Sequence, residues 1–193
     1  KHSIRKSLDE LPAAHDEVKT LEEQFGNSTF LFGKNANEAN FKQQARDYAI
    51  LHLAMHGILN ANHPLLSSLA FTENQDSLED NFLQAYEIAH LNLNADLVVL
   101  SACETGFGKF AQGEGVLSLA RSFMYAGVPS MVVSLWEVND ASTAMVMQLF
   151  YQQLAQGLSK DVALRNAKIE YIKRADATAA HPAFWSAFVQ LGD

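Results

Sequence analysis

A chain of 193 residues with 48% apolar and 19% charged side chains is neither disordered, collagen-like nor low in complexity. A domain of this size can bury roughly 70% of the surface its unfolded chain exposes, so it needs no disulfide or metal staple. The 22 acidic against 14 basic residues argue against nucleic acid as the main partner, and the single cysteine excludes an internal disulfide or a multi-cysteine zinc site.

Length predicts one domain over residues 1–193. The chain starts at Lys1 rather than Met, which predicts a piece of a longer protein. No uncharged apolar run reaches the roughly 18 residues that span a bilayer, and no apolar signal core follows the N-terminus. A cytoplasmic protein that contacts no membrane is expected.

The elements read as strands alternating with helices. Pro12 opens an amphipathic stretch that turns Val18, Leu21 and Phe25 to a core and ends at Gly26. Residues 29–32 read as a strand and 37–46 as a helix. The apolar runs 50–55 and 96–101 lack a polar face, as expected of parallel strands covered on both sides. A helix over 113–125, stopped by Gly127, leads to a third two-sided strand over 130–135. A long helix follows over 141–155, capped by Asn139 or Asp140 and stopped by Gly157. Ser159 caps another running to about Lys173, and an aromatic-rich strand over 184–189 closes the chain. The expected fold is α/β, a three-layer sandwich with a mainly parallel central sheet.

Such sheets place their active sites at the carboxyl ends of the strands. Run 50–55 ends at His56-Gly57, and run 96–101 ends at Ala102-Cys103-Glu104. A Cys and a His leaving one sheet edge on neighbouring strands meet the needs of a thiolate nucleophile and its imidazole acid/base. The backbone N–H groups of Gly57 and Cys103 would hold the oxyanion. A metal reading of His52 and His56, completed by His63 or Cys103, has no supporting motif. His52, in mid-strand, is better suited to a buried hydrogen bond. The glycines at 106, 108, 113 and 115 resemble a phosphate loop only superficially, because the Gly-Lys-Ser/Thr element is missing.

Charge is unevenly spread. Residues 73–115 carry eight acidic side chains against Lys109 alone. A carboxylate in a pocket there would select Lys or Arg at the cleavage position, and Glu104, Glu114, Asp140 and the Asp76/Glu79/Asp80 loop are the candidates. Solvated carboxylates are the competing account. Trp136, directly after a strand, stands where a substrate wall would be, with ordinary packing as the equal alternative.

The segments 51–57 (Leu-His-Leu-Ala-Met-His-Gly), 64–71 and 97–106 (Leu-Val-Val-Leu-Ser-Ala-Cys-Glu-Thr-Gly) resemble the histidine and cysteine segments of the CHAT domain. That domain is a branch of the caspase-like (clan CD) cysteine peptidases. Gly113-Glu114-Gly115-Val116, the run 134–140 and the run 181–185 are similar to it as well, as is the stretch from Leu11 to Phe25. The resemblance implies a caspase–haemoglobinase-like fold, a Cys103/His56 dyad and endopeptidase action on a protein substrate, with no metal or cofactor in any step. It also implies upstream helical repeats of the TPR kind, or a partner, that switch the enzyme on. A CHAT module that keeps the fold but serves as a silent or latent scaffold is the alternative.

Overall fold

The structure, a computed structural model, describes residues 12–25, 28–60, 62–73, 79–101, 112–136 and 138–193, with the backbone alone at 12, 13, 24, 112–115 and 140. Among the described residues, two helices, α1 (Pro12–Gln24) and the shorter α2 (Glu38–Gln44), precede strand β1 (Ile50–Leu53). A small antiparallel sheet follows in the order β2 (Gly57–Ile58), β3 (Ser68–Ala70), β4 (Phe82–Gln84). After the one-turn α3 (Ala85–Ile88) come β5 (Leu97–Leu100), α4 (Gln112–Tyr125) and β6 (Ser130–Ser134). Helices α5 (Asp140–Ala155) and α6 (Lys160–Arg174) then lead to the last strand, β7 (Phe188–Gly192).

The main sheet has the order β1-β5-β6-β7, with β1, β5 and β6 parallel and β7 antiparallel at one edge. Side chains alternate between its two faces, because successive residues of a strand point to opposite sides. Val98, Leu100, Met131 and Val133 join Val116, Leu119 and Phe123 of α4 in one core. Leu97, Val99 and Val132 join Leu21 of α1, Phe150 of α5 and Leu164 of α6 in the other. Helices on both faces of a mainly parallel sheet give the three layers expected. The start of α5 follows its sequence signal: of the two candidate caps, Asn139 takes the position, and its side chain accepts the N–H groups of Ala141 and Ser142.

Four local expectations are corrected. Residues 28–32 form no ladder; Phe30 instead lines a cavity of about 210 Å³ beside β1, and Thr29 bonds its hydroxyl to that of Tyr48. The run 50–55 is a strand only over Ile50–Leu53, at an edge of the sheet among the described residues; Leu51 and Leu53 are buried in the first core, but Ile50 is 43% exposed. The terminal strand begins at Phe188, because Pro182 starts a 3-10 turn over Pro182–Phe184, and Phe184 and Trp185 pack on the second core. Ser159 stands at the N-cap position of α6, yet its hydroxyl bonds the Asp161 side chain rather than the backbone. The small sheet adds to the expected elements, since strands of two or three residues are too short to show alternation. No helix among the described residues is long and apolar enough to cross a membrane.

Candidate functional site

β1 and β5 run side by side in parallel with Leu53 opposite Leu100 and Ile50 opposite Leu97. Adjacent strands lie about 4.8 Å apart, so whatever follows each of them leaves from one edge of the sheet. His56 is the third residue past Leu53, and Cys103 is the third past Leu100. The Ser101 N–H still donates to the Leu53 carbonyl at 3.3 Å, extending the register by one residue beyond β5.

His56 is buried between β1 and β2, with its ring Nδ1 shielded from solvent and its carbonyl accepting the Ala70 N–H at 2.9 Å. That bond fixes the phase of the β2–β3 ladder. Gly57, paired with Leu69, falls in the non-hydrogen-bonded position, so its N–H is directed away from β3. Cys103 and Glu104 lie outside the described residues, as do the side chains of Glu114 and Asp140, at the first turns of α4 and α5. Trp136 follows β6 at the same sheet edge and is half-buried. Its Nε1 donates to the Ala183 carbonyl at 3.0 Å, which ties the indole to the 182–184 turn.

Of the acidic loop, Asp76 is outside the described residues, and Asp80 accepts the Phe82 N–H through Oδ1 at 2.9 Å. Glu79 is taken by Lys42 of α2, whose ammonium lies 2.8 Å from it, 2.7 Å from Glu38 and 3.2 Å from Glu87. Burial pushes the Glu38 carboxyl up, and its bond to Lys42 partly offsets this. Burial acts to lower Lys42, but its hydrogen bonds to Glu38 and Glu79 win and push the ammonium up. Part of the negative charge of 73–115 is therefore cancelled from outside that stretch. Glu79 is thus an ion-pair partner of Lys42.

His52 makes the buried hydrogen bonds expected of a mid-strand histidine. Its Nδ1 lies 2.9 Å from the Tyr151 hydroxyl of α5. Its Nε2 lies 3.0 Å from Glu17 Oε1 of α1 and 3.3 Å from Ser101 Oγ. Ser101 Oγ in turn donates to Glu17 Oε2 at 3.1 Å. Burial, and then the Glu17 charge, push the Tyr151 phenol far up, so it keeps its proton and can donate to Nδ1. With both ring nitrogens engaged, His52 is not arranged to ligate a metal beside His56. Among the described residues, three potential ligands converge only at Glu38, Glu79 and Glu87, where Lys42 already sits.

A family model described as the CHAT domain matches residues 2–193. The chain belongs to the CHAT domain family. Curated relatives agree in part. Tetratricopeptide repeat protein 28 of Homo sapiens is 32% identical over 115 residues, covering 60% of this CHAT chain and 4% of that protein. Its Mus musculus counterpart is 30% identical over 115 residues, 60% of this chain and 5% of that protein. The CHAT chain thus spans a small fraction of the length of either relative.

Sequence reasoning missed Glu17, Ser101 and Tyr151. One signal was present: Glu17 lies four residues before Leu21, so a carboxylate shares the core-facing side of α1. A buried carboxylate requires partners, and the small polar residue directly after the apolar run of β5 was an available one.

Proposed function

We propose that this CHAT chain is a cysteine endopeptidase in which Cys103 is the nucleophile and His56 its acid/base. The observation that carries the reading is the equal three-residue offset of His56 and Cys103 from the paired ends of two adjacent parallel strands. His56 takes the thiol proton as Cys103 sulfur adds to the scissile carbonyl, and the N–H groups of Gly57 and Cys103 bind the oxyanion. Collapse of the adduct breaks the C–N bond, His56 returns the proton to the leaving amine, and a thioester remains. Water, deprotonated by His56, hydrolyses that thioester to a carboxylic acid and the thiol. Residues 1–193 act as one unit, under the control of TPR-like repeats or a partner protein, which the printed names of the relatives support. Substrate preference for Lys or Arg at the cleavage position is assigned to Glu104, Glu114 and Asp140, with Trp136 as a pocket wall.

The test uses the lone cysteine as its own reporter. His56→Ala is expected to slow iodoacetamide labelling of Cys103 and to lower peptide cleavage about 100-fold or more. Arg-P1 peptides are expected to be cut faster than Asp-P1 peptides; equal rates, or a preference for Asp, overturn the specificity assignment. The second reading, a scaffold module, is favoured by relatives named for their repeats. A Cys103 whose labelling ignores His56, in a chain that cuts no peptide, establishes it.

A further inference from the structure

Glu17, His52, Ser101 and Tyr151 come from four parts of the chain and meet in the second core, on the sheet face covered by α1 and α5. Burying a carboxylate is costly unless the surroundings compensate it, and such a group is retained only where its bonds are made. Glu17 is 3% exposed, and Ser101 is also buried. Ser101 is held three ways: its N–H by the Leu53 carbonyl, its hydroxyl by Glu17 Oε2, and its Oγ beside His52 Nε2. Glu17 Oε2 accepts the Ser101 hydroxyl, and Oε1 stands 3.0 Å from His52 Nε2 without hydrogen-bond geometry; the two residues it faces each stand just ahead of a member of the proposed dyad. His52 is four residues before His56, and Ser101 is two before Cys103.

We propose that Glu17 is a positioning residue. Through Ser101 and His52 it clamps the end of β5 to β1, and so fixes where both chains leave the sheet towards His56 and Cys103. This inference deepens the peptidase reading and rests on it. Glu17 is assigned no contact with either dyad residue; it acts through Ser101. Helix α1 thereby contributes to the site from a distance, because it carries the carboxylate that accepts the Ser101 hydroxyl. Tyr151 supports the arrangement from α5 by occupying the far side of the His52 ring.

The experiment compares Glu17→Ala, Ser101→Ala, the double variant and Glu17→Gln in the full chain. Misplacing a reacting group by about 1 Å can cost about 100-fold, so each alanine variant is expected to lower kcat about 10- to 100-fold with KM within about twofold. The double variant is expected to be no worse than the poorer single one, because both remove the same bond. Glu17→Gln keeps an acceptor for the Ser101 hydroxyl and is expected to recover kcat to within about threefold of the parent. Losses that multiply in the double variant overturn the clamp, as does an unchanged kcat in a chain whose Tm has fallen. If the parent cuts no peptide, the peptidase reading fails by itself. The clamp is then read from iodoacetamide labelling of Cys103, which Glu17→Ala and Ser101→Ala must each alter, and unaltered labelling overturns it. Amide exchange at Ser101 reports on the clamp without any chemistry at the cysteine: slower exchange in the parent than in Glu17→Ala supports it, and equal exchange overturns it.

Discussion

Lys42 shows how one side chain can decide the meaning of a charge count. Its ammonium is surrounded by Glu38, Glu79 and Glu87, with a net charge of −2 left over for the group. Replacing it in Lys42→Met leaves three carboxylates facing one another, one of them buried. Removing one partner of a buried pair costs about 3–5 kcal/mol, and exposed pairs are worth about 0–1. For this partly buried cluster we expect a loss of about 2 kcal/mol at pH 7 by urea denaturation. In the variant the buried Glu38 carboxyl, already raised by burial, loses the Lys42 bond that partly offset this, so the deficit is present at neutral pH. It shrinks as the pH falls towards the ordinary glutamate value of 4.5 and the carboxyls take up protons. A deficit that stays constant over that range would show that Lys42 acts by packing alone. At this scale His56, Gly57 and the dyad pattern are visible in the sequence, because strand-end positions can be read from runs of apolar residues. Glu38, four residues before Lys42, is at local helical spacing, but Ser101 as the partner of Glu17 and Glu79 as a partner of Lys42 are not visible. Those contacts join residues 84 and 37 positions apart, and no local pattern encodes them.

Among the elements, the parallel strands and long helices are legible because each has enough residues to show its period. The short strands β2 to β4 and the displaced start of β7 are not. The last strand is held by a backbone that only glycine suits. Gly192 has φ +86°, and a Cβ there would lie 2.0 Å from the Pro129 carbonyl oxygen. Gly157, which ends α5, has φ +81° with nothing near its absent Cβ. The two separate conformational strain from collision. Gly157→Ala is expected to cost about 1 kcal/mol, the usual penalty for a left-handed residue with a side chain. Gly192→Ala adds a clash with rigid backbone, for which we expect a total of about 3 kcal/mol and a Tm lowered by about 6–12 °C. Equal losses in a thermal melt would contradict the assigned contact.

The whole molecule is a sheet whose two faces feed two separate cores, with β5 and β6 at its centre and β1 at its edge. Opening β5 breaks ladders on both sides and exposes both cores, whereas β1 and the small sheet can open at lower cost. Amide exchange is therefore expected to be slowest in Leu97–Leu100 and Ser130–Ser134, and faster by about tenfold or more in β1 and β2. Uniform protection across all strands would deny this hierarchy. The clamp of Glu17, His52, Ser101 and Tyr151 crosses that architecture from α1 to α5. Its geometry limits how far the protein can be divided. A piece spanning 50–136 contains both members of the proposed dyad, yet lacks the carboxylate on α1 and the phenol on α5. On the proposed clamp, the unit that presents His56 and Cys103 is far longer than the segment that carries them. Its Glu17 side chain lies 39 residues ahead of the histidine.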